Sequence, residues 1–382
     1  MFKFLLHILK SFLLIFIPTG KKLTGFAFVV HPRDYNDVVA NVKSLRLLPK
    51  WMVTKWLHLL PPFTISKIKG VVSLADKTPL TGWVIAIPMS AHKMLERRKL
   101  VRRKIQQAIR LAKHLGVRVV GLGGMTGSMT EGGAGLSEKN GMVVTAGRAY
   151  TSFVVKSYVD DAIARLELQK KDLCIAIVGA AGGVGSAVTK LILGEQFKKV
   201  ILIDLERKLD IAREIIKDLP AGTVELTHKI SAVSEADIIV TATNAPEAVV
   251  ASDDIQPGTI IVDDAEPSDI SLEIIEARKD ILVIEAGVLK AHSSISVGTD
   301  FRLANKGELF CCLTEAMAIA ASDWHIRYEP RNITPELISK IASIATEMGF
   351  RLAPYQAYGR MISEEQIQNV KQIAQNRIHS RI

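Results

Sequence analysis

Continuous apolar runs alternate with amphipathic helical stretches along the second half of the chain. Between residue 172 and about residue 298 the apolar runs are CIAIVG, VILIDL, LTHKI, DIIVTAT, TIIVDDAE and ILVIEAG. Runs of this kind, separated by helices, are typical of parallel strands that are covered on both faces. The pattern therefore predicts a doubly wound parallel sheet, a Rossmann fold, over residues 156–300.

A second α/β domain is predicted over residues 21–155. Its strand-like runs are GFAFVVHP, TGWVIAIPMS, VRVVGLGGMTG and GMVVTAGRAYTSF. A helical link follows at about residues 157–170. Residues 301–382 have a helical pattern, with an N-terminal cap at Thr334 and a capping box that begins at Ser363. The sequence thus predicts an α/β protein in which two α/β domains precede a helical C-terminal region.

The first 20 residues predict an amphipathic helix. Lys3, His7, Lys10 and Ser11 share one face of this helix and leave a wide face of Phe, Leu and Ile. The apolar stretch is about 14 residues, or roughly 21 Å as a helix, which is too short for a hydrocarbon core of about 30 Å. We expect residues 1–20 to lie in the membrane interface, which would make the protein a peripheral membrane protein. Packing of the helix on the protein itself is the alternative.

Residues 91–116 predict a second amphipathic helix, whose outer face is strongly basic. This stretch holds nine Lys or Arg residues and a single acid, Glu96, in a chain of net charge +10. Such a concentration of charge raises the encounter rate with an acidic partner, either anionic lipid or an acidic carrier protein. Nucleic acid is not expected as a partner, because no helix-turn-helix, zinc finger or aromatic-lined RNA motif accompanies the charge.

The chain has three cysteines, and two of them, Cys311 and Cys312, are neighbours. Three cysteines make no disulfide framework, and none lies in a Cys or His pattern spaced for zinc, so no metal site is predicted. This usage indicates a reducing cytoplasm. Free cysteine is among the most buried residue types, so apolar packing is one interpretation of the pair.

The stretch IAIVGAAGGVGSAV places three glycines directly after an apolar strand and at the start of a helix. Glycines with this spacing permit a tight turn, let backbone N–H groups approach a pyrophosphate, and allow the helix to pack closely on the strand. The sequence therefore predicts a dinucleotide site, for which the candidate residues are Gly179, Gly182, Gly183, Val184 and Gly185.

The end of the following strand bears on which cofactor is bound. Asp204 lies about 20 residues beyond the glycines, where a carboxylate binds the ribose hydroxyls of NAD and repels a 2′-phosphate. Asp204 thus favours NADH, whereas Arg207 and Lys208 are placed to reach a phosphate instead, and both cofactors stay open. Thr243 and Asn244 end a later strand, where the nicotinamide half of the cofactor is expected to pass.

Together these stretches resemble the cyanobacterial-type long-chain acyl-[acyl-carrier-protein] reductases, which convert a fatty acyl thioester to a fatty aldehyde. The likeness runs from roughly residue 26 to residue 352. It includes the LGG near residue 122, the GAAGGVGSAV turn, the region of Gly287, the FCCLTEA segment, Asp323-Trp324-His325, Arg331-Asn332-Ile333-Thr334 and the basic RRKLVRRK helix.

The resemblance implies NADPH as cofactor, acyl carrier protein or acyl-coenzyme A as acyl donor, and Cys312 as nucleophile. The cysteine of the family lies in an F-x-C-x-x-E-A pattern, and alignment of Phe310, Glu315 and Ala316 assigns this role to Cys312 and leaves Cys311 as a neighbour. A thiolate at this position would take the acyl group as a thioester, and hydride would then reduce that thioester to the aldehyde. An enzyme that consumes the aldehyde is a possible further partner.

A cysteine needs help to ionise at neutral pH. If the helix begins near Lys306 or Gly307, Cys312 lies more than one turn inside it, and a base or orienting group is needed instead. His292 and His325 are the candidates. Two other functions remain open, a Rossmann dehydrogenase without covalent catalysis and a membrane-bound protein that senses nucleotide.

Overall fold

The computed structural model describes residues 2–17, 21–219, 224–322, 329 and 332–381. It divides into two compact units. The first, called here the N-terminal unit, comprises Met1–Arg148, Lys290–Asn332 and Ile341–Arg351. The second, called the Rossmann unit, comprises Ala149–Leu289, Ile333–Lys340 and Leu352–Ile382. The sequence had predicted a border at residues 155 and 156, and the structure draws it between Arg148 and Ala149.

The first 147 residues contain the helices and strands that build most of the N-terminal unit. The helices are α1 (Phe2–Leu14), α2 (Tyr35–Asn41), α3 (Lys50–Trp56), α4 (Ala91–Glu96), α5 (Arg98–His114), α6 (Met125–Ser128) and α7 (Leu136–Asn140). The strands are β1 (Gly25–Val30), β2 (Phe63–Val72), β3 (Pro79–Ala86), β4 (Val117–Leu122) and β5 (Val143–Thr145).

The middle of the chain alternates strands and helices, as the apolar runs predicted. The helices are α8 (Arg148–Arg165), α9 (Gly183–Ile192), α10 (Leu209–Ile216) and α11 (Leu272–Ala277). The strands are β6 (Cys174–Val178), β7 (Lys199–Ile203), β8 (Val224–Thr227), β9 (Ile238–Thr241), β10 (Ile260–Asp263) and β11 (Leu282–Glu285). Residues 157–165 of the predicted link are the end of a longer helix, because α8 begins at Arg148 and ends at Arg165.

Beyond β11, the described residues form short strands and three helices. The strands are β12 (Val288–Lys290), β13 (Ser296–Val297), β14 (Glu308–Phe310), β15 (Arg351–Leu352), β16 (Gln356–Ala357) and β17 (Arg360–Met361). The helices are α12 (Cys311–Ala321), α13 (Pro335–Glu347) and α14 (Glu364–His379). The predicted cap at Ser363 is confirmed, since its side chain accepts a hydrogen bond from the N–H of Gln366. The side-chain amide of Gln366 donates to the Ile281 carbonyl oxygen.

The expected start of α12 near Lys306 or Gly307 is wrong. Gly307 has a φ of +85°, which is outside the helical region, and the next three residues form β14. Phe310 is extended and caps the helix, so α12 begins at Cys311. Cys312 therefore lies in the first turn of α12 rather than inside the helix.

A six-stranded sheet forms the centre of the N-terminal unit, with the order β13-β2-β3-β1-β4-β5. Strands β3, β1, β4 and β5 run parallel. On β4, Val120 and Leu122 belong to a buried cluster with Val101 and Ile105 of α5. The intervening Gly121 faces the other way, toward α12. Because successive side chains of a strand alternate between faces, α5 and α12 cover opposite faces of the sheet.

The Rossmann unit has a six-stranded sheet in the order β11-β10-β9-β6-β7-β8, and every recorded pair is parallel. Numbered within the unit, the strands follow the order 3-2-1-4-5-6 when read from β8. This is the order of the dinucleotide-binding fold, and it confirms the predicted fold class. The strand order reverses between β6 and β9, so ligand is expected at the carboxyl ends of these two strands.

Helix α1 packs on the N-terminal unit through one face only. Ile8, Ser11 and Ile15 are buried on that face. Ser11, one of the four residues predicted to share a polar face, is therefore turned toward the protein. The opposite face is apolar and exposed, and its residues are Leu6, Leu9, Leu13, and, just beyond the helix, Phe16 and Ile17. None of the helices in the described part of the chain is long and apolar enough to cross a membrane.

Candidate functional site

The glycine turn follows β6 at the carboxyl edge of the Rossmann unit's sheet, the edge at which its parallel strands end. Gly179 has a φ of +85°, and a Cβ there would lie 2.7 Å from the carbonyl oxygen of Ala242. Both the left-handed conformation and the lack of space require glycine at this position. The close approach brings the turn after β6 against the end of β9, where the strand order reverses.

Helix α9 begins at the next two glycines. Gly182 is extended and precedes the first helical residue, Gly183. A Cβ on Gly185 would lie 2.1 Å from the carbonyl oxygen of Gly179, so the third glycine lets the helix pack directly on the turn. The backbone N–H groups of Gly183, Val184 and Gly185 form the first turn, and this end of a helix binds phosphate. The glycine turn fits the pyrophosphate of a dinucleotide.

Thr243 lies across the turn from Gly179. Its Cγ2 would be 3.2 Å from a Cβ on Gly179. The Thr243 hydroxyl donates a hydrogen bond of 2.5 Å to the carboxylate of Asp269, which is fully buried. Burial raises the pKa of Asp269 to about 7. Asn244 follows Thr243 and is exposed. Gly179 and Thr243, both predicted site residues, thus lie together at one crevice.

Asp204 ends β7 and is 7% exposed. Its carboxylate accepts hydrogen bonds of 2.8 Å from two backbone N–H groups, those of Ala181 and Leu205. The Lys208 ammonium lies 3.7 Å from the same carboxylate. Asp204 thus holds the glycine turn through Ala181, a role that the sequence did not predict. Arg207 is exposed beside it.

A second buried carboxyl group lies at the end of β10. Asp263 accepts hydrogen bonds from the hydroxyls of Thr241, Ser268 and Tyr358, at 2.6 to 2.7 Å. Burial raises the pKa of Asp263 and, more strongly, that of its neighbour Asp264. Burial thus raises the pKa of several carboxyl groups at the carboxyl edge of the Rossmann unit's sheet.

Cys312 is half-buried in the first turn of α12, at the carboxyl edge of the sheet in the N-terminal unit. Gly147, which follows β5, packs directly against it: a Cβ on Gly147 would lie 2.2 Å from the Cα of Cys312. A Cβ on Gly121 of β4 would lie 3.4 Å from the Cys312 carbonyl oxygen. Two glycines thus fix the close approach of this helix start to β4 and β5.

A hydrogen-bonded chain links the same helix to β5. The Thr145 hydroxyl donates to the carboxyl group of Glu315, and it accepts a bond of 2.9 Å from the N–H of Gly147. Glu315 is fully buried and lies three residues after Cys312, on the same side of the helix. Glu315 and Thr145 were not predicted as site residues, and they position Gly147 against the cysteine.

The other end of α12 is held by a cation. The Arg118 guanidinium, at the start of β4, donates to the carbonyl oxygens of Ile319, Ala320 and Ser322 at 3.0 to 3.1 Å. These carbonyls lie at the last turn, where a helix carries partial negative charge. Arg118 therefore anchors the carboxyl end of the helix whose first turn holds Cys312.

The other two cysteines have different surroundings. Cys311 is 1% exposed. Cys174 is buried at the start of β6, and burial together with the nearby Asp237 raises its pKa to about 11. Of the three cysteines, Cys312 is thus the most accessible to solvent.

The structure does not bring His292 to Cys312. His292 is exposed, its Nδ1 lies 2.8 Å from the hydroxyl of Ser294, and Ser294 bonds to Gly70 on β2. Strands β3 and β1 separate β2 from β4, a distance of about 14 Å at about 4.8 Å per strand. A role for His292 as base stays a prediction. His325, the other candidate, lies outside the described residues.

A histidine that the sequence did not single out lies at the same sheet edge as Cys312. His31 follows β1, and its Nε2 accepts a hydrogen bond of 3.2 Å from the N–H of Met125. Its Nδ1 lies 3.2 Å from the Pro32 carbonyl oxygen, so the proton belongs on Nδ1. Burial lowers the pKa of His31, which favours the neutral ring. A histidine directly after an apolar strand was the signal that could have found it.

The strand order, the glycine turn and the crevice beside Thr243 define an NAD(P)-dependent oxidoreductase with a Rossmann fold. Residues 160–286 match the family model described as Shikimate / quinate 5-dehydrogenase. The matched range covers the glycine turn and all six strands of the Rossmann unit's sheet.

Two curated proteins are similar over longer stretches. The chain is 24% identical over 374 residues to the aminotransferase PigE of a Serratia species, covering 93% of this chain but 43% of PigE. It is 26% identical over 275 residues to a long-chain acyl-[acyl-carrier-protein] reductase of Synechococcus elongatus, covering 66% of this chain and 76% of that protein. The chain therefore spans less than half the length of the first of these relatives.

Among solved structures, the chain is similar to a shikimate 5-dehydrogenase of Listeria monocytogenes in complex with shikimate and NAD. The sequences are 12% identical, the match covers 86% of this chain and 99% of the other, and the TM-score is 0.33.

Proposed function

We propose that this protein reduces a long-chain fatty acyl thioester to a fatty aldehyde through a covalent acyl group on Cys312. The observation that carries the proposal is the place of Cys312, half-buried in the first turn of α12. The first turn of a helix presents N–H groups and the positive end of the helix dipole, and both favour a thiolate over a thiol. A thiolate is the form of cysteine that attacks a thioester.

The Cys312 thiolate attacks the carbonyl carbon of the thioester, and the carbon–sulfur bond to the carrier breaks. The carrier leaves as a thiolate and takes up a proton, while the acyl group stays on the Cys312 sulfur. Reduced nicotinamide, when bound, would supply the hydride that converts this carbonyl to the alkoxide of a hemithioacetal. Cys312 then leaves as a thiolate when the hemithioacetal collapses, so the aldehyde is released and the enzyme is regenerated.

The negative oxygen that forms in each step needs hydrogen-bond donors. We assign this role to backbone N–H groups in the first turn of α12, which are oriented with the helix and need no side chain. Glu315 and Thr145 act as positioning residues, because their hydrogen bonds hold Gly147 against Cys312.

The acyl donor is proposed to be acyl carrier protein or acyl-coenzyme A. Both bear phosphopantetheine and negative charge, and the start of α5 exposes Arg98, Lys99 and Arg102. The Synechococcus relative is named for an acyl carrier protein substrate, which favours that donor.

NADPH is proposed as the preferred cofactor. Both oxygens of Asp204 accept bonds from the protein backbone, and Lys208 offsets its charge. The repulsion that the sequence predicted between Asp204 and a 2′-phosphate is thereby reduced. The exposed Arg207 is the proposed partner of that phosphate.

We also propose that the protein associates with the membrane from one side through the exposed apolar face of α1. A face with five large apolar side chains is unusual for a helix that faces only water. An interfacial helix would keep a long-chain aldehyde close to the bilayer, into which it partitions, and to any enzyme there that consumes it.

A second candidate is a Rossmann dehydrogenase that acts on an alcohol without covalent catalysis. The match of residues 160–286 to the shikimate and quinate dehydrogenase model favours it. Cys312 would then be a packing residue at the start of α12.

Acyl transfer in the absence of cofactor tests the proposal. The chain is mixed with palmitoyl-acyl carrier protein or palmitoyl-coenzyme A, and the peptide that contains Cys312 is examined by mass spectrometry for an added palmitoyl group. We expect Cys312→Ser to abolish the thioester adduct and the formation of aldehyde with NADPH or NADH. Cys311→Ser is the matched control and should keep both. Aldehyde formation by Cys312→Ser at the rate of the native chain would contradict the proposal.

A further inference from the structure

We propose that residues 43–60 form a second membrane-docking element, called here the tryptophan segment, which together with α1 and one flank of α5 makes a single surface for an anionic bilayer. This inference rests on the membrane association proposed above for α1. It assigns a lipid class, a second set of anchoring side chains and the cations that recognise the headgroups.

The tryptophan segment exposes large apolar side chains. Leu47 is 86%, Trp51 61%, Trp56 52% and Leu59 59% exposed. Burial of Leu45 and Val53 against Val39 of α2 holds the segment on the protein, so the exposed side chains are not those of a loose loop. Exposure of large apolar groups to water is unfavourable, and a partner that covers them removes this cost in free energy.

The charges of the segment suit a lipid headgroup layer. Residues 43–60 include Lys43, Arg46, Lys50 and Lys55 and contain no acid. The two exposed tryptophans each follow a lysine, and the Lys55 ammonium lies 5.7 Å from the centre of the Trp56 ring. Tryptophan is enriched at the level of the headgroups, and lysine reaches from an apolar surface toward phosphate.

The segment is continuous with α1. Leu60, its last residue, packs with Ile8 of α1 and Phe63 of β2 in one buried cluster. The His7 ring at the same level of α1 lies 2.7 Å from the Thr64 carbonyl oxygen. Trp56 is four residues before Leu60, so its Cα lies within about 14 Å of that cluster. The apolar face of α1 and the tryptophans therefore belong to one region of the N-terminal unit.

Helix α5 adds a row of cations beside α1. Helix α5 contacts this region at two points. The buried Lys104 donates a hydrogen bond to the carbonyl oxygen of Leu60, and His114 Nδ1 lies 3.4 Å from the carbonyl oxygen of Ile17, just beyond α1. The helical period aligns four residues along this flank, named here the arginine stripe: Arg103, Gln107, Arg110 and His114. Arg103 and Arg110 are exposed.

These observations favour a bilayer over a protein partner. An acidic protein could bind the arginine stripe. It would leave the exposed apolar side chains of α1 and of the tryptophan segment in contact with water. A bilayer with anionic lipid receives the leucines and tryptophans in its interface and the arginines at its phosphates. The geometry thus points to an anionic membrane surface as the occupant.

Vesicle sedimentation with the full chain tests the inference, using phosphatidylcholine vesicles with and without phosphatidylglycerol. Trp51→Ser with Trp56→Ser should weaken binding to both vesicles at least about tenfold, because each buried side chain contributes to partitioning. Arg103→Gln with Arg110→Gln should weaken binding to anionic vesicles roughly 25-fold, from about fivefold per charge, and leave binding to the neutral vesicles unchanged.

The Rossmann unit offers matched controls. Ile211 and Leu272 are 54% and 53% exposed, so Ile211→Ser with Leu272→Ser removes comparable apolar side chains elsewhere. Lys171→Gln with Lys229→Gln removes the same charge from exposed positions. Both control variants should bind like the native chain. Circular dichroism and thermal melting check that every variant folds.

Tryptophan fluorescence gives a second readout. Brominated lipids should quench the native chain on vesicles, and the quenching should fall strongly in the Trp51→Ser, Trp56→Ser variant, which retains Trp83 and Trp324. Unchanged vesicle binding by this variant, with no loss of quenching, overturns the inference. If Leu9→Ser with Leu13→Ser then abolishes vesicle binding, α1 binds the membrane without the tryptophan segment, and only the proposal for α1 is retained.

Two other outcomes separate the proposals. If the native chain binds no vesicle but binds acyl carrier protein, and Arg103→Gln with Arg110→Gln removes that binding, the surface is a protein interface and the inference is wrong. Acylation of Cys312 by a water-soluble short-chain thioester is measured on each variant as well. That reaction needs no membrane, so its presence or absence judges the proposed chemistry independently of docking.

Discussion

Helices α9 and α12 both begin where a strand ends, at the carboxyl edge of the sheet in their own unit, but their first turns carry different chemistry. Helix α9 starts with Gly183, Val184 and Gly185, which leave the backbone N–H groups uncovered. Helix α12 starts with Cys311 and Cys312, which add a thiol to the same positive end. The difference teaches that one electrostatic feature, a helix start, suits either a bound phosphate or a reactive anion of the chain itself.

At the first turn of each helix, a glycine lets two segments of the backbone approach closely. Gly185 meets the carbonyl of Gly179, and Gly147 meets the Cα of Cys312, each at a distance that no Cβ allows. In both units a glycine provides space rather than flexibility. A single methyl group should therefore disturb each site separately.

The largest effects are expected from adding that methyl group. Gly185→Ala places a Cβ 2.1 Å from a carbonyl oxygen, and it should abolish measurable binding of NADPH and NADH in calorimetry while acylation of Cys312 continues. Gly147→Ala places a Cβ 2.2 Å from the Cys312 Cα, and it should abolish acylation while dinucleotide binding continues. Gly194→Ala, where the nearest atom is 3.6 Å away, is the control for both. Loss of both activities in either variant would contradict the separation.

Thiol reactivity should rank the three cysteines. At pH 8 the Cys174 thiol, with a pKa of about 11, is thiolate in roughly one molecule in a thousand. Iodoacetamide should therefore alkylate Cys312 at least about 100-fold faster than Cys174, with Cys311 also slow because it is buried. Peptide mass spectrometry against time measures the rates, and the chain unfolded in urea serves as the control. Equal alkylation rates for the three cysteines in the folded chain would contradict the proposal that the first turn of α12 favours a thiolate at Cys312.

A smaller effect concerns the acids beside the two helix starts. Each accepts a bond from a threonine, Glu315 from Thr145 and Asp269 from Thr243. The pKa of Asp269 rises from 3.8 to about 7 on folding, so the folded chain binds more protons than the unfolded chain between these values. This contribution to stability is present below about pH 4 and is lost as the pH rises through 7.

Asp269→Asn tests this dependence, because asparagine keeps an acceptor for the Thr243 hydroxyl and does not titrate. We expect the native chain to lose about 2 kcal/mol of unfolding free energy from this group between pH 5 and pH 7, and the variant to lose less. Urea unfolding at several pH values measures the difference. Thr243→Val is the control, since it removes the hydroxyl and keeps the acid. The same pH slope in native chain and Asp269→Asn would show that Asp269 does not titrate in this range.

The Rossmann fold was predictable because its strands are buried on both faces and read as unbroken apolar runs. The glycine turn was predictable for a similar reason, since its spacing and its flanking strand and helix are local in sequence. These features are set by residues within about twenty positions of one another. No distant contact is needed to recognise them.

The surroundings of Cys312 depended on distant contacts and were not predictable in the same way. Gly147 and Thr145 lie more than 160 positions before Cys312 in the chain, and no periodicity indicates that they meet. The start of α12 was misplaced because residues 308–310 extend as β14 after the left-handed Gly307. His292 has the residue type of a base, whereas its contact with Ser294 places it beside β2.

The guanidinium of Arg118 fixes the position of Cys312 from the opposite end of α12. Helix α12 is a rod of 11 residues, about 16 Å long, with Arg118 clamped to its trailing carbonyls and the sulfur at its leading end. Movement of the Cys312 sulfur along the helix axis would have to break the three hydrogen bonds from Arg118 at the other end of α12. Arg118, which lies at the other end of the helix, thereby limits how far the proposed nucleophile can move along the helix axis.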